Sequence, residues 1–157
     1  MCGRFLLTAP SEALQRLFGF LEQPNLAPRF NVAPSQAVAA MVRDAAAERR
    51  FVWMRWGLLP SWSKAGAAKE GAPRAPLINA RAETVAEKPS FRGAFAARRC
   101  VVFADGFYEW RQSGNRQPYC VRLTSGDPFA FAAIWEPLEE AEAGEPDRGC
   151  ALITTAA

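Results

Sequence analysis

The stretch CVVFADGFYEWRQSGNRQPYCVRLTSGDPFAFAAIW, residues 100–135, holds three apolar and aromatic runs separated by Ser-Gly-Asn at 113–115 and Gly-Asp-Pro at 126–128. Runs of this length rich in Val, Phe, Tyr and Trp, punctuated by Gly, Asn, Asp and Pro, are the pattern of strands joined by turns. The reading is a strand at 100–104 continuing through 105–110, then strands at 118–123 and 129–135, arranged as an antiparallel meander. Upstream, residues 91–97 read as a short helix. Two apolar runs at 37–42 and 51–59, across a charged turn, read as a strand pair. Residues 8–21 read as a helix that packs on the core, because Leu14, Leu17, Phe18 and Leu21 recur at helical spacing and Pro10 suits a first turn. Residues 60–76, rich in Pro, Gly, Ala and Lys around Trp62, read as a loop. Downstream, 136–149 reads as a solvated acidic loop and 150–155 as one more strand.

A chain of 157 residues, half of them hydrophobic, fits one domain spanning 1–157. No stretch approaches the roughly 18 apolar residues of a membrane span, and the start lacks a secretory pattern. A cytoplasmic protein is expected. Cys2, Cys100, Cys120 and Cys150 are widely spaced and histidine is absent, so no metal set and no cofactor are expected. Cys100, Cys120 and Cys150 lie in apolar runs and are expected to be reduced and buried. Trp53, Trp56, Trp110 and Trp135, within strand-like runs, are assigned to packing. The net charge of +3 conceals an asymmetry. Residues 1–135 hold eighteen bases against ten acids, a net charge of +8, while 136–148 hold six acids and Arg148. A basic body suits a polyanion; a solvated cationic face is the alternative on charge alone.

Chemistry concentrates at the start. Once Met1 is removed, Cys2 carries an α-amine (pKa about 7.7–8.0) and a thiol (about 8.5) on one residue, so both nucleophiles are usable near neutral pH. With an aldehyde the amine forms a Schiff base and the thiolate closes a five-membered thiazolidine. Alternation over 77–83 puts Asn79, Arg81 and Glu83 on one face of an extended segment. Asn79 can hold an amine or a developing oxyanion, or satisfy a turn. Glu109, between Tyr108 and Trp110, is expected to be partly desolvated and suited to proton transfer, or else ion-paired on a strand. Arg4 and Arg81 can grip phosphates through their guanidinium forks. Trp62, in a basic loop, can stack on an unpaired base or simply pack.

These pieces in this order resemble the SRAP family of SOS response-associated peptidases and abasic-site-processing proteins. The matching stretches are Met-Cys-Gly-Arg-Phe at 1–5, Phe-Asn-Val-Ala-Pro at 30–34, Arg-Trp-Gly-Leu-Leu-Pro-Ser-Trp at 55–62, Leu-Ile-Asn-Ala-Arg-Ala-Glu-Thr at 77–84, Phe-Ala-Asp-Gly-Phe-Tyr-Glu-Trp at 103–110 and Leu-Ile-Thr-Thr-Ala-Ala at 152–157. The resemblance implies an α+β fold, a barrel-like and mostly antiparallel β-sheet flanked by a few helices. It implies covalent cross-linking to abasic sites in single-stranded DNA through Cys2, with Asn79 positioning and Glu109 as acid and base. Arg4, Arg81, Asn31, Pro34 and Trp62 would then hold the DNA, and the protein would associate with the nucleoid on damaged DNA. An N-terminal-cysteine peptidase that removes Met1 is the competing activity. A non-catalytic single-strand-binding module, using only the basic face and Trp62, is a third. The family's His-x-Arg-Met-Pro motif falls beyond Ala157, and the stretch at 64–75 reads as a longer loop than the family's. The expectation is a domain lacking its C-terminal portion.

Overall fold

The computed structural model describes residues 3–63, 75–111, 114–115, 117–138 and 143–156. Cys2 and most of the 60–76 loop therefore lie outside the described residues. Within them the order is β1 (Phe5–Leu7), α1 (Ser11–Phe18), β2 (Arg29–Val32), β3 (Ala37–Arg43), β4 (Arg49–Trp56), β5 (Asn79–Arg81), α2 (Arg92–Ala97), β6 (Arg99–Ala104), β7 (Gly106–Trp110), β8 (Pro118–Val121), β9 (Phe129–Pro137) and β10 (Arg148–Thr154). One 3-10 turn covers Ser61–Ser63. The fold is mostly strand with few helices, and five strands close into a barrel.

The barrel runs β4-β3-β6-β9-β10 and closes by a short parallel pairing of β10 with β4, Gly149↔Arg55 and Cys150↔Trp56. Closure depends on the absence of a side chain. A Cβ on Gly149 would lie 2.4 Å from the Gly57 carbonyl oxygen, while the Gly57 N–H donates to the Cys150 carbonyl at 2.8 Å. Gly57, at φ +148°, turns the chain out of β4. The edge of β10 then passes to β5, which pairs in parallel through Leu152↔Asn79, Ile153↔Ala80 and Thr154↔Arg81.

A second sheet, β2-β1-β7-β8, lies against the barrel. Phe5 of β1 joins the barrel core with Val102, Met54, Leu152 and Trp56, its ring 5.2 Å from that of Trp56 and 5.7 Å from that of Phe131. Trp56 is fully buried, and its indole Nε1 donates to the Ile78 carbonyl at 2.9 Å, tying the barrel to the strand that carries Asn79. Trp56→Ala is expected to cost about 3–5 kcal/mol. In urea melts this appears as a lower midpoint at an unchanged slope. A loss below about 1 kcal/mol would show that the core is not organised around this ring.

The meander expectation is corrected. Strand β6 pairs with β3 and β9, whereas β7 pairs with β1 and β8. The chain changes sheets at Asp105, whose carboxylate is buried and accepts from the Thr8 amide at 2.8 Å and from the Thr8 hydroxyl. That pair of bonds pins the far end of β1 at the crossover.

Helix α1 is shorter than the 8–21 reading. It ends at Gly19, which adopts φ +69° and donates to the Gln15 carbonyl. Beyond that turn Phe20 returns to the core, so Leu14 and Phe20 are buried while Leu17 and Leu21 are exposed. The extended segment at 77–83 stops at Arg81, because the Arg81 carbonyl turns to accept from Thr84. Glu83 therefore leaves the face shared by Asn79 and Arg81. The acidic loop also begins later than expected. Glu136 is the buried penultimate residue of β9, its carboxylate paired with Arg98.

Candidate functional site

Strand β1 is only three residues long, and all three are buried. Its register, Phe5↔Val32 on β2 and Phe5↔Phe107 with Leu6↔Gly106 on β7, determines which side chains meet. Phe5, Val32 and Phe107 all pack on the barrel core, so by alternation the residues beside them, Arg4, Asn31 and Tyr108, share the outer face of the sheet. There Arg4 Nη1 donates to Asn31 Oδ1 at 3.0 Å. The Tyr108 amide donates to the Arg4 carbonyl at 2.9 Å, and the Tyr108 hydroxyl donates to the Phe30 carbonyl at 2.7 Å. Gly3, Arg4, Asn31, Tyr108 and Trp110 line an open cleft of about 540 Å³. A guanidinium, a side-chain amide and two aromatic rings in an open cleft suit a ligand with charged and flat parts.

The other predicted residues divide. Glu109 is half-buried and lies on the Phe107 side of β7, directly opposite Tyr119 of β8. Asn79 and Arg81 lie on the face of β5 that they share with Leu152 and Thr154 of β10. Leu152 belongs to the same core as Phe107, so Glu109, Asn79 and Arg81 occupy the faces turned toward that core. Pro34 sits in the turn between β2 and β3, and Trp62 is half-buried with its Nε1 3.3 Å from the Pro89 carbonyl. Neither lines the cleft. Glu83, in its turn, accepts from the Ala156 amide at 3.1 Å, and hydrogen bonds from its own amide and that of Ala156 hold its carboxyl below the ordinary value.

Sequence reading missed Tyr108 and Trp110 as cleft residues. Trp110, assigned to packing, is 41 % exposed. The signal was available: in Phe-Tyr-Glu-Trp, alternation puts Tyr108 and Trp110 together on the side opposite Glu109. Trp53 is also partly exposed, whereas Trp56 is core. Trp135 is half-buried under the guanidinium of Arg148, 5.1 Å from the ring centre.

The cysteines divide too. Cys100 and Cys150 are buried as expected, but Cys120 is exposed, on an edge strand, β8, whose four residues are all exposed. Burial pushes the Cys150 thiol up to about 12 and raises that of Cys100 well above its ordinary value. In the unfolded chain such thiols ionise near pH 8.5, so the unfolded state sheds protons that the fold retains. The stabilisation from Cys150 is complete below about pH 8.5 and lost as pH rises toward 12. Urea melts from pH 8 to 10.5 are expected to fall with pH, and Cys150→Ala is expected to reduce that slope by up to about 1.4 kcal/mol per pH unit. An unchanged slope in the variant contradicts the assignment.

The family model described as SOS response associated peptidase (SRAP) matches residues 1–157. Abasic site processing protein YoqW of Bacillus subtilis is 39% identical over 160 residues, covering 99% of this chain and 68% of that protein. Abasic site processing protein YedK of Escherichia coli is 32% identical over 168 residues, covering 100% of this chain and 68% of that protein. The chicken protein HMCES, of the same description, is 31% identical over 181 residues, and the match spans half its length. A crystal structure from Bacteroides thetaiotaomicron superposes with a TM-score of 0.76 at 27% identity, covering 98% of this chain and 68% of that one. A phage-related protein of Bordetella bronchiseptica superposes with a TM-score of 0.75 at 26% identity, covering 98% and 69%.

Proposed function

The chain belongs to the SRAP family, and on that premise we propose that it processes abasic sites in single-stranded DNA by covalent capture on Cys2. The observation that carries the reading is the cleft at the N-terminal end of β1, where Arg4 is hydrogen-bonded to Asn31 beside Tyr108 and Trp110. Gly3, the residue after Cys2, lines it.

In the proposed reaction, removal of Met1 frees the Cys2 amine. That cleavage is the peptidase step of the scheme. The amine attacks C1′ of the ring-opened sugar aldehyde, and the carbinolamine loses water to give an imine. The thiol sulfur then adds to the imine carbon and its proton passes to nitrogen, closing a ring of N, Cα, Cβ, S and C1′. The product is protein plus DNA minus one water. Glu109 moves the protons, donating to the departing hydroxyl and accepting from the attacking amine or thiol. Asn79 orients the amine or the sugar oxygen. Arg4 and Arg81 hold flanking phosphates through charge-assisted bonds. Asn31 serves first by holding Arg4, and Pro34 and Trp62 bound the path of the strand farther out.

The test uses a single-stranded oligonucleotide carrying one abasic site and the same oligonucleotide reduced beforehand so that the aldehyde becomes an alcohol. The expected result is a heat-stable adduct with the aldehyde alone, at the mass of protein without Met1 plus DNA minus water. Equal adduct from both oligonucleotides, or none from either, refutes the reading.

A further inference from the structure

On the outer face of the second sheet, beyond Tyr108 as counted from Arg4, stands a residue that neither the motifs nor the proposed chemistry uses. Gly106 pairs with Leu6 on one side, and the register of β7 with β8, Tyr108↔Cys120 and Phe107↔Val121, carries Arg122 to its other side. With no side chain on Gly106, the stem of Arg122 lies across this face. A Cβ there would stand 2.9 Å from Arg122 Cγ and 3.1 Å from Leu6 Cδ2. The aliphatic stem thus helps cover Leu6, which is 1 % exposed, while the residue itself stays exposed. This is the arrangement of a long basic side chain that buries its methylenes and leaves its charge in water. Cys120, two residues earlier on β8, lies on the same face opposite Tyr108. Asp105, beside Gly106 in the chain, is buried and accepts from Thr8 through one carboxylate oxygen. Among the described residues Arg122 makes no ion pair.

We propose that Arg122 is a second phosphate-binding position, flanking Tyr108 on the side away from Arg4, for the DNA strand that occupies the cleft. The inference rests on the reading of single-stranded DNA as the partner. By strand spacing and rise, Arg4 and Arg122 are about 12 Å apart across β1, β7 and β8, far enough to engage different phosphates while Tyr108 lies between them.

The experiment is fluorescence anisotropy of the full chain with a single-stranded 12-mer carrying a central tetrahydrofuran, an abasic analogue without an aldehyde, over 50–200 mM salt. Arg122→Gln is expected to weaken binding about five-fold and to reduce the salt slope by about 0.7, the share of one phosphate contact on a single strand. Arg122→Lys is expected to restore most of the slope. Arg43→Gln removes the same charge from the β3–β4 hairpin, and is expected to change neither. A wild-type slope in Arg122→Gln, or an equal loss in Arg43→Gln, overturns the inference while leaving the partner intact. Absence of any binding by the wild type overturns both.

Discussion

Cys2→Ala is expected to abolish the heat-stable adduct with an abasic oligonucleotide while leaving a trace that only borohydride reveals. The variant keeps an α-amine, which still condenses with the aldehyde. Without the thiol the product stays an imine, and an imine in water returns to its components. The thiolate converts that reversible capture into a ring because it is held two carbons from the nitrogen, where effective molarity replaces a bimolecular collision. Cys2→Ser is expected to resemble Cys2→Ala, since a hydroxyl is a far weaker nucleophile than a thiolate at neutral pH. A heat-stable adduct from Cys2→Ala at wild-type yield would remove the thiazolidine from the mechanism. Retention of Met1, read from the intact mass, would block the chemistry at its first step.

Glu109→Gln is expected to slow adduct formation by about 10²–10⁴-fold, the usual contribution of a positioned acid or base. The substitution keeps the size of the side chain and its place opposite Tyr119, so the thermal midpoint should move little. Rate and binding read together separate a proton-transfer role from a structural one. Adduct formation should slow while initial binding of the tetrahydrofuran oligonucleotide stays near that of the wild type. A rate within about three-fold of the wild type leaves Glu109 as a strand residue only.

Much of the architecture is legible in local pattern. The strand pair at 37–42 and 51–59 is β3 and β4, with seven consecutive antiparallel partners from Ala37↔Arg55 to Arg43↔Arg49. The short helix at 91–97 and the strand starting at residue 100 are α2 and β6 to within a residue. These are short-range features, and turn chemistry with a period of two or 3.6 reports them directly. The errors share one cause. Leu21 continues a helical period yet faces solvent, because the helix ends at Gly19 before reaching it, and Leu17, within the helix, is exposed as well. Cys120 sits in an apolar run yet is exposed, because it lies on an edge strand that is paired on one side only and exposed throughout. Glu136 heads an acidic run yet is buried, because Arg98 meets it from another element. In each case burial was decided by what lies opposite in space.

The same division holds for the site. Sequence by itself determines the residues that share a face of each strand and the family, and it nominates the nucleophile, since each of these is a matter of residue type and short spacing. Only the tertiary structure decides that Arg4 meets Asn31 across 27 residues, that Tyr108 reaches Phe30 across 78, and that Asp105 clamps Thr8 across 97. It alone joins β10 to β4 through two glycines and lays Arg122 over Gly106. Alternation tells which side chains point the same way. Which face is covered and which stays open depends on distant strands brought together by burial of a shared core.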